Sequence, residues 1–259
     1  MTERAVNADS PTIEDVRSAM DRGELFVEYQ PIVSLVTQRC AGAEALVRWR
    51  REGTVWPASR FIKLIENTPL SGRLTYWVID TIARELGAWL SDHADLYISI
   101  NVPPEILGRG GLEYAAVRSG LRARAGQILL EITERGVPDQ LGLTALNMMA
   151  EQGVRLALDD VFLTGANLAV LSRGRFEVIK IDRKLIAQLR EHAPEPTWLP
   201  GLRSLLVHSQ LQVIAEGVES HYQAEMLARA GVQMAQGYLF STSLTARALM
   251  EFREQTNAT

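Results

Sequence analysis

From residue 96 onward the chain repeats one pattern: a short apolar run that meets a polar residue, then a stretch with helical apolar spacing. Run 96–100 ends at Asn101, run 127–132 carries Glu131, and run 154–158 stops on the adjacent acids Asp159 and Asp160. Run 176–181 carries Lys180, run 211–215 ends at Glu216, and run 232–240 opens with Gln236 and Gly237 close behind. Helical spacing fills 111–125, 139–152, 198–208 and 221–230. Strands that alternate with helices are joined by crossovers, and crossovers build parallel sheets. Two earlier runs, 25–30 and 40–49, bring the expected strands to eight. That count favours a (β/α)8 barrel over an open doubly wound sheet. No glycine-rich phosphate loop follows the early strands, which weakens a dinucleotide-binding alternative.

Thr12, with Asp15 three residues on, reads as the start of a helix that stops near Gly23. Helical spacing also marks 59–67, 70–90 and 245–254. Residues 1–10 are polar and patternless and are expected to fray, leaving 11–259 as one domain. A net charge of −4 advertises neither a nucleic-acid nor a membrane surface. The single cysteine, Cys40, excludes an intrachain disulfide framework. No apolar leader or membrane-length run is present, so a cytoplasmic protein is expected. His93, His192, His208 and His221 show no ligand spacing.

In such barrels the active site lies at the C-terminal ends of the strands. Asn101, Glu131, Asp159, Asp160, Lys180, Glu216 and Gln236 all fall at or near such ends, and Glu44 interrupts the apolar run 43–47. Singly, each has a plain explanation as a cap, a surface pair or a snorkelling lysine. Together on successive strand ends they are hard to read as separate caps. All the candidate ligands are oxygen donors, which selects Mg²⁺ or Mn²⁺ over a Cys/His zinc site. Adjacent carboxylates can bridge two cations, an arrangement suited to attack of water on a phosphodiester, with Lys180 orienting that water, helping to deprotonate it, or neutralising phosphate charge.

These residues resemble the EAL domain family. Glu44-Ala45-Leu46 carries the signature tripeptide, preceded by Tyr29-Gln30-Pro31 and followed by Val47-Arg48-Trp49. Further matches run in order through Asn101, Glu131, Asp159-Asp160, Lys180, Glu216-Gly217-Val218-Glu219 and Gln236-Gly237-Tyr238. The resemblance implies a modified (β/α)8 barrel that hydrolyses cyclic di-GMP to linear pGpG with two Mg²⁺ or Mn²⁺ ions. It implies that Glu44, Asn101, Glu131 and Asp159 hold one ion and that Asp159, Asp160 and Glu216 hold the other. Lys180 would contact the attacking water, Glu219 and Gln236 would support the site, and Glu134 would brace the loop after the acid pair. Leu46, Arg48, Pro57, Phe61 and Asp182 would grip the nucleotide.

The loop after the acids departs from the family. It reads Val161-Phe162-Leu163-Thr164-Gly165-Ala166, with Phe162 and Thr164 where the family has glycine. Glycine permits backbone conformations those residues resist. Phe162 and Leu163 read either as a contact for a protein partner or as side chains packed down on the barrel. Ser243 also stands where the family often has proline. The resemblance implies a homodimer; the altered loop weakens that expectation. An EAL-like barrel that binds cyclic di-GMP or a protein without turnover is the alternative to the enzyme.

Overall fold

In a computed structural model the structure is described for residues 10–133, 138–161 and 174–258. The expected frayed segment up to residue 9, Glu134 and the altered loop beyond Val161 lie outside the described residues. The strands are β1 (Leu25–Ser34), β2 (Cys40–Arg51), β3 (Thr54–Pro57), β4 (Tyr97–Asn101), β5 (Ile128–Thr133), β6 (Arg155–Val161), β7 (Val178–Ile181), β8 (Gln212–Ala215) and β9 (Met234–Ala235). The α-helices are α1 (Ile13–Asp21), α2 (Ile62–Ile65), α3 (Pro69–Asp92), α4 (Gly111–Ser119), α5 (Gln140–Glu151), α6 (Arg183–Ile186), α7 (Trp198–His208), α8 (His221–Arg229) and α9 (Ala246–Asn257).

The sheet order β1-β9-β8-β7-β6-β5-β4-β2, with β1 also paired to β2, closes an eight-stranded barrel. Seven of those strands are parallel, but β1 runs antiparallel to both neighbours. The barrel is thus a (β/α)8 barrel modified at β1. A parallel crossover needs a dozen or more residues, and only 35–39 separate β1 from β2. The strand also runs through Pro31 to Ser34 rather than stopping at Gln30. A ninth strand, β3, hangs on β2 outside the barrel. Its two-residue turn has Glu52 at φ 49° and Gly53 at φ 79°, the left-handed pair that a tight hairpin requires.

Two helices open on capping boxes. The Thr12 hydroxyl accepts from the Asp15 amide, and the Asp15 carboxylate accepts from the Thr12 amide. Ser220 and Gln223 repeat the device at α8.

Two cores result. The larger lies between barrel and helices, where Tyr29, Trp49, Phe61, Ile82, Leu86 and Leu202 are buried. The smaller lies inside the barrel and consists of Ile32, Tyr97, Leu129, Ala157, Val178 and Ile214, with Met234 against it. That inner cluster is an apolar floor. Side chains two apart on a strand share a face. Two residues nearer the C-terminal ends, the floor positions Tyr97, Leu129, Ala157, Val178, Ile214 and Met234 are succeeded by Ser99, Glu131, Asp159, Lys180, Glu216 and Gln236. On the antiparallel β1 the step runs backward, from Ile32 to Gln30, which sits opposite Glu44. The barrel interior thus changes from apolar to polar within one pleat.

Candidate metal and catalytic centre

At the centre of the polar layer is the Lys180 ammonium, wholly buried. Its Nζ lies 2.6 Å from Glu216, 2.8 Å from Glu131, 3.2 Å from Glu44 and 3.6 Å from Asp159. The snorkelling alternative for Lys180 is overturned, since its charge is turned inward. Glu44 is the best satisfied of the acids. Its Oε1 accepts from Asn101 Nδ2 at 2.9 Å, and its Oε2 accepts from Gln236 Nε2 at 2.6 Å and from Lys180 Nζ. Gln236 Nε2 also reaches Glu216 Oε1 at 3.3 Å.

One cation does not satisfy four acids. Both oxygens of Glu131, Asp159 Oδ1, Gln236 Oε1 and Ser99 Oγ are buried without an aligned hydrogen bond. Glu131 lies within ion-pair distance of Lys180, but out of line for a hydrogen bond. Burial, reinforced by the neighbouring carboxylates, pushes Glu131 far above the usual carboxylate range, raises Asp159, and takes Glu216 to about 8. Burial pushes Glu44 the same way, but Lys180, Gln236 and Asn101 outweigh it and leave its carboxyl below the usual value. Burial alone would depress Lys180; the surrounding carboxylates outweigh it and hold the ammonium charged well above the ordinary range.

The adjacent acids reach one site through a bulge. Neighbouring residues on a regular strand point to opposite faces. The β6–β7 register slips between Leu158 and Val161, and Asp160 adopts φ 55°, a conformation aspartate tolerates better than most residues. As a result Asp159, Asp160 and Glu216 offer carboxylate oxygens within 4.8 Å of one another. Gly237 secures the far side: a Cβ there would lie 2.2 Å from the Val218 carbonyl oxygen. Only glycine permits the approach that lets the Val218 amide donate to the Gln236 carbonyl.

A sequence model of the EAL domain matches residues 13–243. The chain belongs to the EAL domain family. This EAL domain is 30% identical over 244 residues to the probable cyclic di-GMP phosphodiesterase PdeB of Escherichia coli K12, across 93% of this chain and 46% of that protein. It is 32% identical over 248 residues to the cyclic di-GMP phosphodiesterase NbdA of Pseudomonas aeruginosa, across 92% of this chain and 31% of that protein. The chain thus spans less than half the length of these curated relatives. Among solved structures, the PaMucR phosphodiesterase in complex with c-di-GMP superposes with a TM-score of 0.81 at 28% identity, covering 92% of this chain and 98% of that one.

The structure brings Glu44, Asn101, Glu131, Asp159, Asp160, Lys180, Glu216 and Gln236 of this EAL domain to one end of the barrel. Glu219 is exposed, and its side chain has no hydrogen bond or ion pair among the described residues. Leu46 and Arg48 continue the face of β2 that carries Glu44, and exposed Pro57 pairs with Arg48 across the β2–β3 ladder. Phe61 differs from its expected role. It is 0% exposed, edge-on to Trp49 at 5.5 Å, and offers no surface to a ligand in this conformation. Asp182 is likewise buried, capping α6 by accepting from the Lys184 amide at 2.7 Å. Ser99 and Gln30 belong to the polar layer and were not singled out from sequence. The period-two step from an apolar inward residue is the signal that marks them.

Proposed function

We propose that this EAL domain hydrolyses cyclic di-GMP to linear pGpG with the help of divalent cations, Mg²⁺ or Mn²⁺, held in its acidic layer. The observation that carries the reading is the surplus of buried carboxylate oxygens around a single ammonium. Such oxygens fit hard cations, and two groups of them are available. Glu44, Asn101, Glu131 and Asp159 would hold one ion; Asp159, Asp160 and Glu216 would hold a second. Ions bound there would supply Lewis-acid polarisation of the phosphodiester and a water acidic enough to attack at neutral pH.

The protein's own groups set the rest. Lys180, set among the acids, offers N–H donors to the attacking water and offsets charge on the phosphoryl oxygens. Asn101 and Gln236 fix both oxygens of Glu44. The bulge at Asp160 aims two adjacent acids at one point. In the overall reaction water oxygen bonds to phosphorus, one bridging P–O bond breaks, and the departing 3′ oxygen takes up a proton.

The divergent sequence of the loop from Val161 to Ala166 favours one alternative, a barrel that binds the nucleotide without turnover. The test is cyclic di-GMP turnover by the purified protein with Mg²⁺, with Mn²⁺ and with excess chelator. Metal-dependent release of pGpG is expected. Binding without turnover would convert the assignment to a receptor, and neither binding nor turnover would refute both readings.

A further inference from the structure

The mouth of the barrel carries a second polar assembly, built on Arg48. This residue lies on β2 four positions past Glu44, on the same face and about 13 Å further along the strand. Its side chain is 15% exposed. Three of its five N–H donors are already engaged: Nε donates to Glu28 Oε2 at 2.9 Å, Nη2 to Ser243 Oγ at 3.0 Å and Nη1 to the Val47 carbonyl at 3.1 Å. The Ser243 hydroxyl donates to the same Glu28 oxygen at 2.6 Å, so the three side chains form a closed ring. Each partner rests on fixed backbone. Glu28 lies opposite Leu46 in the β1–β2 ladder. The residue after Ser243, Leu244, exchanges two backbone hydrogen bonds with Tyr29 at 2.7 and 2.8 Å.

We propose that Glu28 and Ser243 are positioning residues that clamp the Arg48 guanidinium at the barrel mouth, leaving its remaining donors for acceptor atoms of the bound cyclic dinucleotide. The inference rests on the cyclic dinucleotide reading above. A guanidinium presents its donors in a rigid fork suited to phosphate oxygens or a guanine edge. An arginine already held loses less rotamer freedom on binding than a free one. The clamp therefore acts on substrate binding, while the acidic layer acts on the chemistry.

The test is steady-state turnover of cyclic di-GMP at saturating Mg²⁺. Ser243→Ala leaves the net charge unchanged and should raise KM about fivefold, with kcat within about twofold of the parent. Ser243→Thr, which keeps the hydroxyl, should restore KM. Glu28→Ala should also raise KM. In an Arg48→Ala background neither change should have a further effect, because residues acting through one group are not additive. An unchanged KM in Ser243→Ala, or an effect that persists without Arg48, would overturn the proposal. If the parent binds without turnover, the same cycle read in dissociation constants decides the clamp separately from hydrolysis. A parent that does not bind cyclic di-GMP would overturn the clamp as well.

Discussion

Replacing Lys180 with methionine keeps a long flexible stem and deletes the only cation in contact with Glu44, Glu131, Asp159 and Glu216 among the described residues. Breaking a buried ion pair by removing one partner typically costs about 3–5 kcal/mol, and for a domain of this size each kcal/mol moves Tm by roughly 2–4 °C. The metal-free variant should therefore melt about 6–20 °C below the parent near pH 8. The deficit should shrink toward pH 5.5, and the sign follows from proton linkage. Glu216 titrates at about 8 in the fold against an ordinary value of 4.5. Between those values the native state holds a proton that the unfolded chain has lost, so stability falls as pH rises, by about 1.4 kcal/mol per unit for each retained proton. Without Lys180, more carboxyls keep their protons and the slope steepens. Lys180 itself, with its value raised, contributes fully across this range in the parent. Thermal unfolding followed by circular dichroism in excess chelator, at pH 5.5 and pH 8, reads both numbers. A deficit under about 2 °C at pH 8, or one equal at both pH values, would refute the account of Lys180 as the counter-charge of the acidic layer.

Glu131→Gln should weaken Mn²⁺ binding at least about tenfold in calorimetric titration while costing the metal-free protein little stability, because burial already raises the parent carboxyl's pKa and penalises its charged form. Mn²⁺ affinity should climb with pH through about 8, since the Glu216 carboxyl must lose its proton to serve as a ligand; titrations in buffers of different ionisation enthalpy would show the released proton. Phe61→Ala should lower unfolding free energy by about 3–5 kcal/mol in denaturant titrations, with KM for cyclic di-GMP moving far less than in Ser243→Ala, because the ring is buried against Trp49.

The barrel was legible because its strands are short apolar runs between helical segments, and the acids because they interrupt those runs. What sequence reading lost was direction and depth. The antiparallel course of β1 follows from the short link at 35–39, where no crossover fits. Strand β3 is four residues long and has little apolar signal of its own; only the Glu52-Gly53 turn announces it. Phe61 and Asp182 were grouped with the ligand-facing residues by resemblance alone. Burial, which no linear pattern near residue 61 encodes, places one in the outer core and the other at a helix cap.

The acid pair shows why the site itself resists a purely linear reading. Period-two alternation assigns Asp159 to the inside of β6 and Asp160 to the outside, where an aspartate would be one more solvated surface charge. The bulge and the left-handed backbone at Asp160 cancel that assignment and turn the second acid toward Glu216. Such a conformation is unfavourable without compensation. Here the closed ladder on either side, through β5 and β7, supplies it. The same pleat that places an apolar floor beneath the polar layer therefore places Ser99, Glu131, Asp159, Lys180, Glu216 and Gln236, and a single break in the pleat places Asp160.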